Sequence, residues 1–394
     1  MLFKQKPLPW AEQLSEYIDL RLLYVLLILM AVGITMTTST TVEMAYKNGL
    51  PAFTQVKRQL IFMALGLMVM LMVSRISLRV WQRLGPLALL IAFALLILVL
   101  LPGIGRSVNG SSRWLAIGPF TLQVSEFAKV ALIIYLAGYI VRHQERLRDE
   151  LSAFINPMLV LLAFVALLMM EPDFGSSVVF VVIAFAMLFL GGARFIYCLT
   201  ALLLGGAGLA LLAMSENYRL ARLTGFMDPW ADPQNTGFQL IQALIAIGNG
   251  GAFGVGLGDS MQKLFYLPEA HNDFVFAVLA EETGLLGVTL LLATYAFMIW
   301  RCFDLAAQAG RSGLMFAQAV GYGCSVWFAL QTLISLGVNM GVLPTKGLSL
   351  PLISVGGSNF LATSIALGLM MRVYLEINQQ GARRRSLGSS EVRR

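Results

Sequence analysis

Charged side chains are scarce in this sequence: only 12% of its 394 residues are Asp, Glu, Lys or Arg, whereas 58% are hydrophobic. A soluble globular domain carries about a quarter charged residues, so the composition excludes that class. The chain also has only two histidines and three cysteines. None of them forms a close pair or has the spacing of metal ligands, which argues against a disulfide framework and against a zinc site.

Long apolar runs dominate what is present, and their length of about 16 to 22 residues suits helices that cross a membrane. None shows the alternation typical of a membrane β-barrel. The sequence therefore predicts an all-α polytopic membrane protein with about ten transmembrane helices and a large extracytoplasmic loop between helices 7 and 8. The predicted spans are 22–40, 59–74, 84–102, 121–141, 154–170, 174–190, 196–214, 276–300, 316–340 and 353–373.

The formal net charge of +7 lies mainly in short loops and in the C-terminal tail, without a basic stripe interleaved with aromatic residues. This pattern indicates membrane topology, by the positive-inside rule, rather than nucleic-acid binding. Both termini are expected in the cytoplasm. We expect a cytoplasmic N-terminal tail at 1–21, a transmembrane domain at 22–374 that contains the large outer loop 215–274, and a disordered basic tail at 375–394.

Titratable side chains concentrate between residues 263 and 287, beside an apolar span. This stretch reads KLFYLPEAHNDFVFAVLAEETGLLG and contains Glu269, His271, Asp273, Glu281 and Glu282. Carboxylates at the boundary of a membrane are costly unless they are solvated, paired or used in function. The stretch is therefore the first candidate for a chemical site. Its single outer histidine gives no support to a Ser-His-Asp hydrolase.

Other polar positions near the predicted outer face are individually ambiguous. Glu126 and Lys129 are three residues apart on one helix face, so they are either a structural ion pair or a contact to substrate. Arg113 lies in an outer loop and would suit a phosphate or a sugar. Asp173 follows Pro172 in a tight turn, where capping of the next helix is the favoured interpretation.

The last outer loop reads GVLPTKGLSLPLISVGGSNF and includes Lys346 and Ser358. Proline and glycine so close to a span predict a re-entrant or broken helix, which membranes tolerate where the backbone lines a protein interior or a polar cavity. The glycine-rich run 248–258 matches no nucleotide-binding spacing, and close backbone packing is the favoured interpretation.

Four ordered motifs resemble the SEDS family (shape, elongation, division and sporulation), and within it the division branch. They are YRLARLTGFMDPWADPQNTG, the run from Gln239 to Ser260, LPEAHNDFVFAVLAEETGLLG and NMGVLPTKGLSLPLISVGGSN. The resemblance covers nearly the whole chain. The sequence departs from the family pattern at Val124, Asn272, Val355 and Asn359, and none of these changes removes a charged group.

The resemblance implies a peptidoglycan glycosyltransferase that polymerises lipid II at the outer face of the bacterial cytoplasmic membrane during septal synthesis. It implies that Asp273 is the catalytic base for the acceptor hydroxyl in an inverting single displacement, with undecaprenyl pyrophosphate as leaving group. Cations, including a divalent Mg or Mn ion, would stabilise that leaving group. Substrate-binding roles are expected for Arg113, Glu126, Lys129, Asp173, Arg222, Glu269, His271, Lys346 and Ser358. The expected partners are a class B penicillin-binding protein transpeptidase of the FtsI type and other membrane proteins of the divisome.

Two alternatives stay open at this point. A lipid II flippase would also show many spans, intramembrane charges and a broken helix, although the charges gather near the outer face rather than at the midplane. A scaffold that only recruits a partner enzyme would leave the outer polar motifs unexplained.

Overall fold

The computed structural model describes residues 17–47, 49–108, 111–117, 120–214, 226–235, 237–264, 267–344 and 347–391. Twelve helices and a small sheet are named here in chain order. They are α1 (Leu20–Lys47), α2 (Thr54–Arg75), α3 (Leu78–Leu100), β1 (Gly105–Val108), β2 (Ser111–Ile117), β3 (Phe120–Gln123), α4 (Val124–Arg142), α5 (Gln144–Asp149), α6 (Leu151–Met170), α7 (Phe174–Leu190), α8 (Phe195–Met214), α9 (Phe238–Asn249), α10 (Val275–Arg311), α11 (Met315–Asn339) and α12 (Gly357–Glu391).

Each of the predicted spans coincides with one of the long helices, which confirms the helical membrane fold. Within the described ranges, eight helices are long and apolar enough to cross a membrane. The exceptions among the predicted spans are α7, which has 17 residues, and α8, whose apolar part is Phe195–Gly208; both are shorter apolar helices.

Helix α4 lies at the centre of the bundle, with 83% of its most apolar window buried, whereas the figure for α3 is only 22%. The sequence of α4, VSEFAKVALIIYLAGYIVR, is apolar on almost every face, which is the pattern of a helix surrounded by other helices. It packs against α3, α7, α11 and α12. A polar side chain on α4 is consequently placed inside protein rather than in lipid.

A three-stranded antiparallel sheet precedes α4 and was not predicted. In its second hairpin Trp114 pairs with Gln123 and Leu115 pairs with Leu122. Because β3 extends to Gln123, α4 begins at Val124 rather than at the predicted residue 121. The sheet places Arg113, on β2, close to the turn between α6 and α7.

Helix α10 is broken at Gly284, whose φ of 65° lies in the left-handed region. The backbone of the preceding loop fills the break: Val255 N donates to Glu281 O at 3.0 Å, and Leu285 N donates to Gly251 O at 2.9 Å. A Cβ on Gly284 would lie 2.3 Å from Gly254 N, so only glycine allows this approach. The glycine-rich run therefore serves close backbone packing, as the sequence indicated.

The described part of the large outer loop is structured, with α9 packed on α10 and α11. The last helix departs from prediction, since α12 runs to Glu391 whereas a disordered tail was expected from residue 375. Leu375 is buried, and Glu376 Oε1 accepts a hydrogen bond from Leu78 N at 2.9 Å. These contacts explain why the helix continues past the predicted span.

Candidate active site

Asp273 lies two residues before α10, at the end of the bundle that also holds Arg113 and the turn at Glu171; we call it the Asp273 end. Asn339 at the end of α11 fixes this position, because its Nδ2 donates to Asp273 O at 2.8 Å and its Oδ1 accepts from Ala277 N at 3.1 Å. The Asp273 carboxylate is half-buried and accepts no hydrogen bond from the residues that the structure describes.

The surroundings of Asp273 favour the protonated form of its carboxyl. The pKa of Asp273 is raised to about 7, mainly by burial and also by the charge of Glu269, while Arg113 acts in the opposite direction. Burial also lowers the pKa of His271, against the influence of Glu269. A carboxyl group with a pKa near neutrality can hold or release a proton at physiological pH, which is the property required of a general base.

Arg113 connects the sheet to the turn between α6 and α7. Its Nη1 lies 3.7 Å from Asp173 Oδ1, and its guanidinium also donates to the carbonyl oxygens of Glu171 and Pro172. Asp173 caps α7 as predicted, because its Oδ1 accepts from Ser176 N at 3.2 Å. The Asp173 carboxylate is thus already occupied, while the Arg113 side chain remains 23% exposed.

Glu171 is a buried acid that the sequence analysis did not select. Its side chain is fully buried, and neither carboxylate oxygen has a hydrogen-bond partner among the described residues. The pKa of Glu171 is raised to about 8, mainly by burial and also by the charge of Asp173, while Arg113 has an opposing effect. Glu171 is therefore mostly protonated at neutral pH, so the turn carries less negative charge than its sequence suggests.

Lys129 and Glu126 are paired inside the bundle, 2.9 Å apart, with the Lys129 side chain completely buried. Lys129 Nζ also donates to Gln331 Oε1 at 3.1 Å and lies 4.8 Å from the centre of the Trp327 ring. These contacts provide the Lys129 ammonium with partners inside the bundle. The pairing inferred from the sequence is present, and it does not by itself distinguish a structural role from substrate contact.

Gln331 is the second residue that sequence reasoning missed. Its Oε1 accepts from Lys129 and Trp327, while its Nε2 donates to Ser349 O at 3.0 Å and to Asn359 Oδ1 at 3.1 Å. It thereby joins Lys129 to the last outer loop. Its position in the interior of the predicted span 316–340 was the available signal, since polar residues inside spans are costly unless they are used.

The last outer loop is irregular and packs among the helices from Gly347 to Gly356, as the proline and glycine pattern predicted. Ser354 Oγ donates to Asn272 O at 2.7 Å, and Val355 N donates to His271 O at 3.1 Å. A Cβ on Gly347 would lie 3.0 Å from Asp273 Oδ2, so the loop backbone passes directly beside the carboxylate. The two polar stretches identified from the sequence therefore form one site.

Of the other residues with predicted substrate-binding roles, Ser358 and Glu269 are described and have different hydrogen-bond partners. Ser358 Oγ accepts from Gln123 N at 2.8 Å, so this hydroxyl holds α12 against β3. Glu269 is exposed, and its Oε2 accepts from Asn272 Nδ2 at 2.8 Å. Arg222 and Lys346 lie outside the described residues.

Glu281 and Glu282 support the loop that leads to Asp273. Glu281 accepts hydrogen bonds from Ser260 Oγ and from the backbone of residues 261 and 262. Glu282 pairs with Lys263 at 3.0 Å, and Lys263 Nζ also donates to Ser39 Oγ on α1 at 2.9 Å. Both acids therefore anchor the loop that leads to Asp273.

Comparison with known families decides the relationship of this chain. Residues 19–379 match the model of the cell cycle protein family that comprises FtsW, RodA and SpoVE. The chain belongs to this family.

Curated members of the family are similar over almost their whole length. The chain is 50% identical over 372 residues to "Probable peptidoglycan glycosyltransferase FtsW" of Thioalkalivibrio sulfidiphilus, covering 94% of this chain and 92% of the relative. It is 44% identical over 369 residues to the Legionella pneumophila protein of the same name, covering 94% and 93%. The division-type resemblance of the motifs is thereby confirmed.

Solved structures of the family share the fold. A chain from a peptidoglycan synthase complex that coordinates polymerization and crosslinking is 31% identical, with a TM-score of 0.74 over 91% of this chain and 98% of that chain. The rod shape determining protein RodA of Thermus thermophilus is 28% identical, with a TM-score of 0.66 over 91% and 96%. These similarities place the family member described here among membrane proteins of cell-wall synthesis.

Proposed function

We propose that this chain is a peptidoglycan glycosyltransferase, the activity for which its curated relatives are named, and that it polymerises lipid II. The observation that carries the proposal is the Asp273 carboxylate, with its pKa raised to about 7. In this reaction Asp273 accepts the proton of an acceptor sugar hydroxyl as that oxygen attacks the anomeric carbon. The bond from that carbon to the lipid pyrophosphate breaks, and one displacement inverts the α linkage to β.

The leaving pyrophosphate needs positive charge rather than a proton donor. Arg113 suits this role because its partly exposed guanidinium lies near Asp273 and already has donors directed to carbonyl oxygens that an anion can replace. Lys129 is farther from solvent, since its side chain is fully buried with Glu126. Its proposed contribution is to the electrostatic potential at the Asp273 end. Lys346 and Arg222 remain candidates from the sequence.

A divalent Mg or Mn ion could also neutralise a pyrophosphate. Among the described residues, no three His, Cys, Asp or Glu side chains come together as cation ligands. A cation held by protein alone therefore does not fit that part of the chain, and we assign no step to one.

The proposed setting is the outer face of the bacterial cytoplasmic membrane at the division septum, with both termini in the cytoplasm. The positive-inside bias supports this orientation. The solved relative that belongs to a synthase complex supports a crosslinking partner, which we propose to be a class B penicillin-binding protein transpeptidase.

The direct test is polymerisation of lipid II by the purified chain together with its transpeptidase partner. Asp273→Asn should reduce the rate of glycan synthesis by at least about 10²-fold, because removal of a positioned general base costs this much. Asp259→Asn is the matched control, since Asp259 is an exposed acid of the same outer loop. Thermal unfolding should show both variants folded.

Glycan synthesis by Asp273→Asn at the wild-type rate would refute the assignment of the base. Transbilayer movement of labelled lipid II in liposomes that contain this chain alone, without polymerisation, would establish the flippase instead.

A further inference from the structure

A cavity of about 290 Å³ lies at the end of the bundle opposite Asp273. We call this the Asp19 end; it contains Asp19, the last residues of α4 and α7 and the first residues of α11. The cavity lies where α4, α5, α7 and α11 meet. The proposed function does not use it, and no predicted site residue lines it.

Both apolar and polar side chains line this cavity. Apolar side chains from the spans form one part of it: Ile140, Val141, Met187, Leu190, Met315 and Ala319. Gln144, Arg148, Gln318 and Tyr322 supply the polar part, and each can donate a hydrogen bond. No carboxylate lines the cavity among the described residues. This arrangement suits a ligand with an apolar body and an anionic head.

Arg148 differs from two nearby arginines, Arg146 and Arg194, which are paired with acids. Arg146 pairs with Glu150 at 3.7 Å, and Arg194 pairs with Asp149 at 3.4 Å. The Arg148 guanidinium has no acid partner in the parts of the chain that the structure describes, although its own carbonyl accepts from Arg194 Nε at 2.6 Å. Its charge is therefore available to a ligand.

The shape of the wall keeps Arg148 beside the apolar part. Gly192, which follows α7, has φ of +102°, and a Cβ placed there would lie 3.4 Å from Arg148 Nε. The arginine thus packs directly on the glycine turn. The partial charges of the helix ends oppose one another at the cavity, because α4 and α7 end there while α11 begins there. The full positive charge in the lining is therefore that of the Arg148 guanidinium.

We propose that this cavity binds a membrane phospholipid with an anionic head group, whose phosphate contacts Arg148 and whose acyl chain lies along Met187, Leu190 and Ala319. The location supports a lipid rather than a free anion, because the cavity opens at the ends of spanning helices and half of its wall is apolar. Charge asymmetry predicts this end to be cytoplasmic, where anionic lipids attract basic side chains.

The test uses the full-length chain in detergent, with native mass spectrometry to measure binding of phosphatidylglycerol and phosphatidylcholine. Arg148→Gln should weaken binding of phosphatidylglycerol by about fivefold, the effect of one basic residue near an anionic surface. Ala319→Leu should weaken binding as well, because it fills the apolar part of the cavity. Arg146→Gln is the matched control, and it should change little. Thermal unfolding checks that the variants are folded.

Three results would overturn the proposal. Equal losses in Arg148→Gln and Arg146→Gln would indicate surface charge alone. Equal binding of phosphatidylcholine and phosphatidylglycerol by the wild-type chain would remove the role of the anionic head. If inorganic phosphate stabilised the wild type but not Arg148→Gln, and lipid binding were the same in both, the ligand would be a free anion.

Discussion

Both ends of the bundle hold acids beside an arginine, but two of the carboxylates at the Asp273 end lack hydrogen-bond partners among the described residues. At the Asp19 end, Asp19 Oδ2 accepts from Arg301 Nε at 2.8 Å and from Nη2 at 2.6 Å, and Asp19 Oδ1 accepts from two backbone amides of α1. At the Asp273 end, neither the Glu171 carboxylate nor that of Asp273 accepts a hydrogen bond from a described residue.

This difference separates structural charge from charge kept for chemistry. A buried ion pair with several hydrogen bonds holds helices together, as Asp19 holds α1 to Arg301 on α10. A buried carboxylate without hydrogen-bond partners lowers the stability of the fold, and its pKa is raised. A raised pKa allows the group to exchange a proton near neutral pH. The Asp273 end therefore retains an unfavourable arrangement that the Asp19 end avoids.

The largest expected effect is at the Asp19 end. Asp19→Asn leaves Arg301 buried with only Asp304 as an acidic partner, and loss of one member of a buried pair costs about 3–5 kcal/mol. The free energy or temperature of unfolding in detergent measures this loss. Asp149→Asn removes an exposed acid of the same end and should change stability little. Equal stability of the two variants would show that the buried pair is not structural.

Substitution of Glu171 should reduce a loss of stability, whereas Asp19→Asn should cause one. Because the pKa of Glu171 is raised from 4.5 to about 8, the folded chain retains a proton that the unfolded chain releases. Wild-type stability should therefore fall as pH rises from about 5 to about 8, whereas Glu171→Gln should lose about 2–4 kcal/mol less over that interval. Unfolding curves at several pH values provide the measurement. Parallel pH dependence in the two proteins would mean that Glu171 is ionised in the folded chain.

Gln331→Leu tests whether the Lys129 network contributes to the Asp273 end. It removes the acceptor of Lys129 and the donor to Ser349 O, with a cost of about 1.5–3 kcal/mol for a buried hydrogen bond to a charged group. We expect kcat/KM for lipid II polymerisation to fall by about 10- to 100-fold. Gln308→Leu, at the Asp19 end, should leave this constant unchanged. If Gln331→Leu lost only thermal stability, the network would be structural.

The smallest effects are opposite shifts in the pH dependence of activity. Arg113→Gln removes a charge that lowers the pKa of Asp273, so the acid limb of the rate profile should move to higher pH. Glu269→Gln removes a charge that raises that pKa, so the limb should move to lower pH. Shifts in the same direction would show that the limb reports another group.

The sequence predicted the fold well because apolar runs of membrane length are local features. The spans, the irregular loop at 347–356 and the cap formed by Asp173 could all be inferred from residue type and spacing. The sheet at Gly105–Gln123 was missed because its strands are short, the first and third having four residues each. The continuation of α12 depends on tertiary contacts of Leu375 and Glu376.

The site was predicted less completely, since the roles of its residues depend on burial and partners. Glu171 and Asp173 are both acids of one turn, yet only Asp173 finds donors there. Substrate binding by Ser358 stays a prediction, and the contact of its hydroxyl with β3 could not be inferred from residue type. The role of Gln331 depends on its partners in the fold, because Lys129, Ser349 and Asn359 surround its amide.

The most direct test of the account is the pH dependence of kcat/KM for lipid II polymerisation by the wild-type chain with its partner. An Asp273 base with a pKa of about 7 predicts that the rate rises about tenfold per pH unit below 7 and levels off above it. A rate that is constant from about pH 5 to pH 9, or a limb near the ordinary pKa of an aspartate at about 4, would contradict the account.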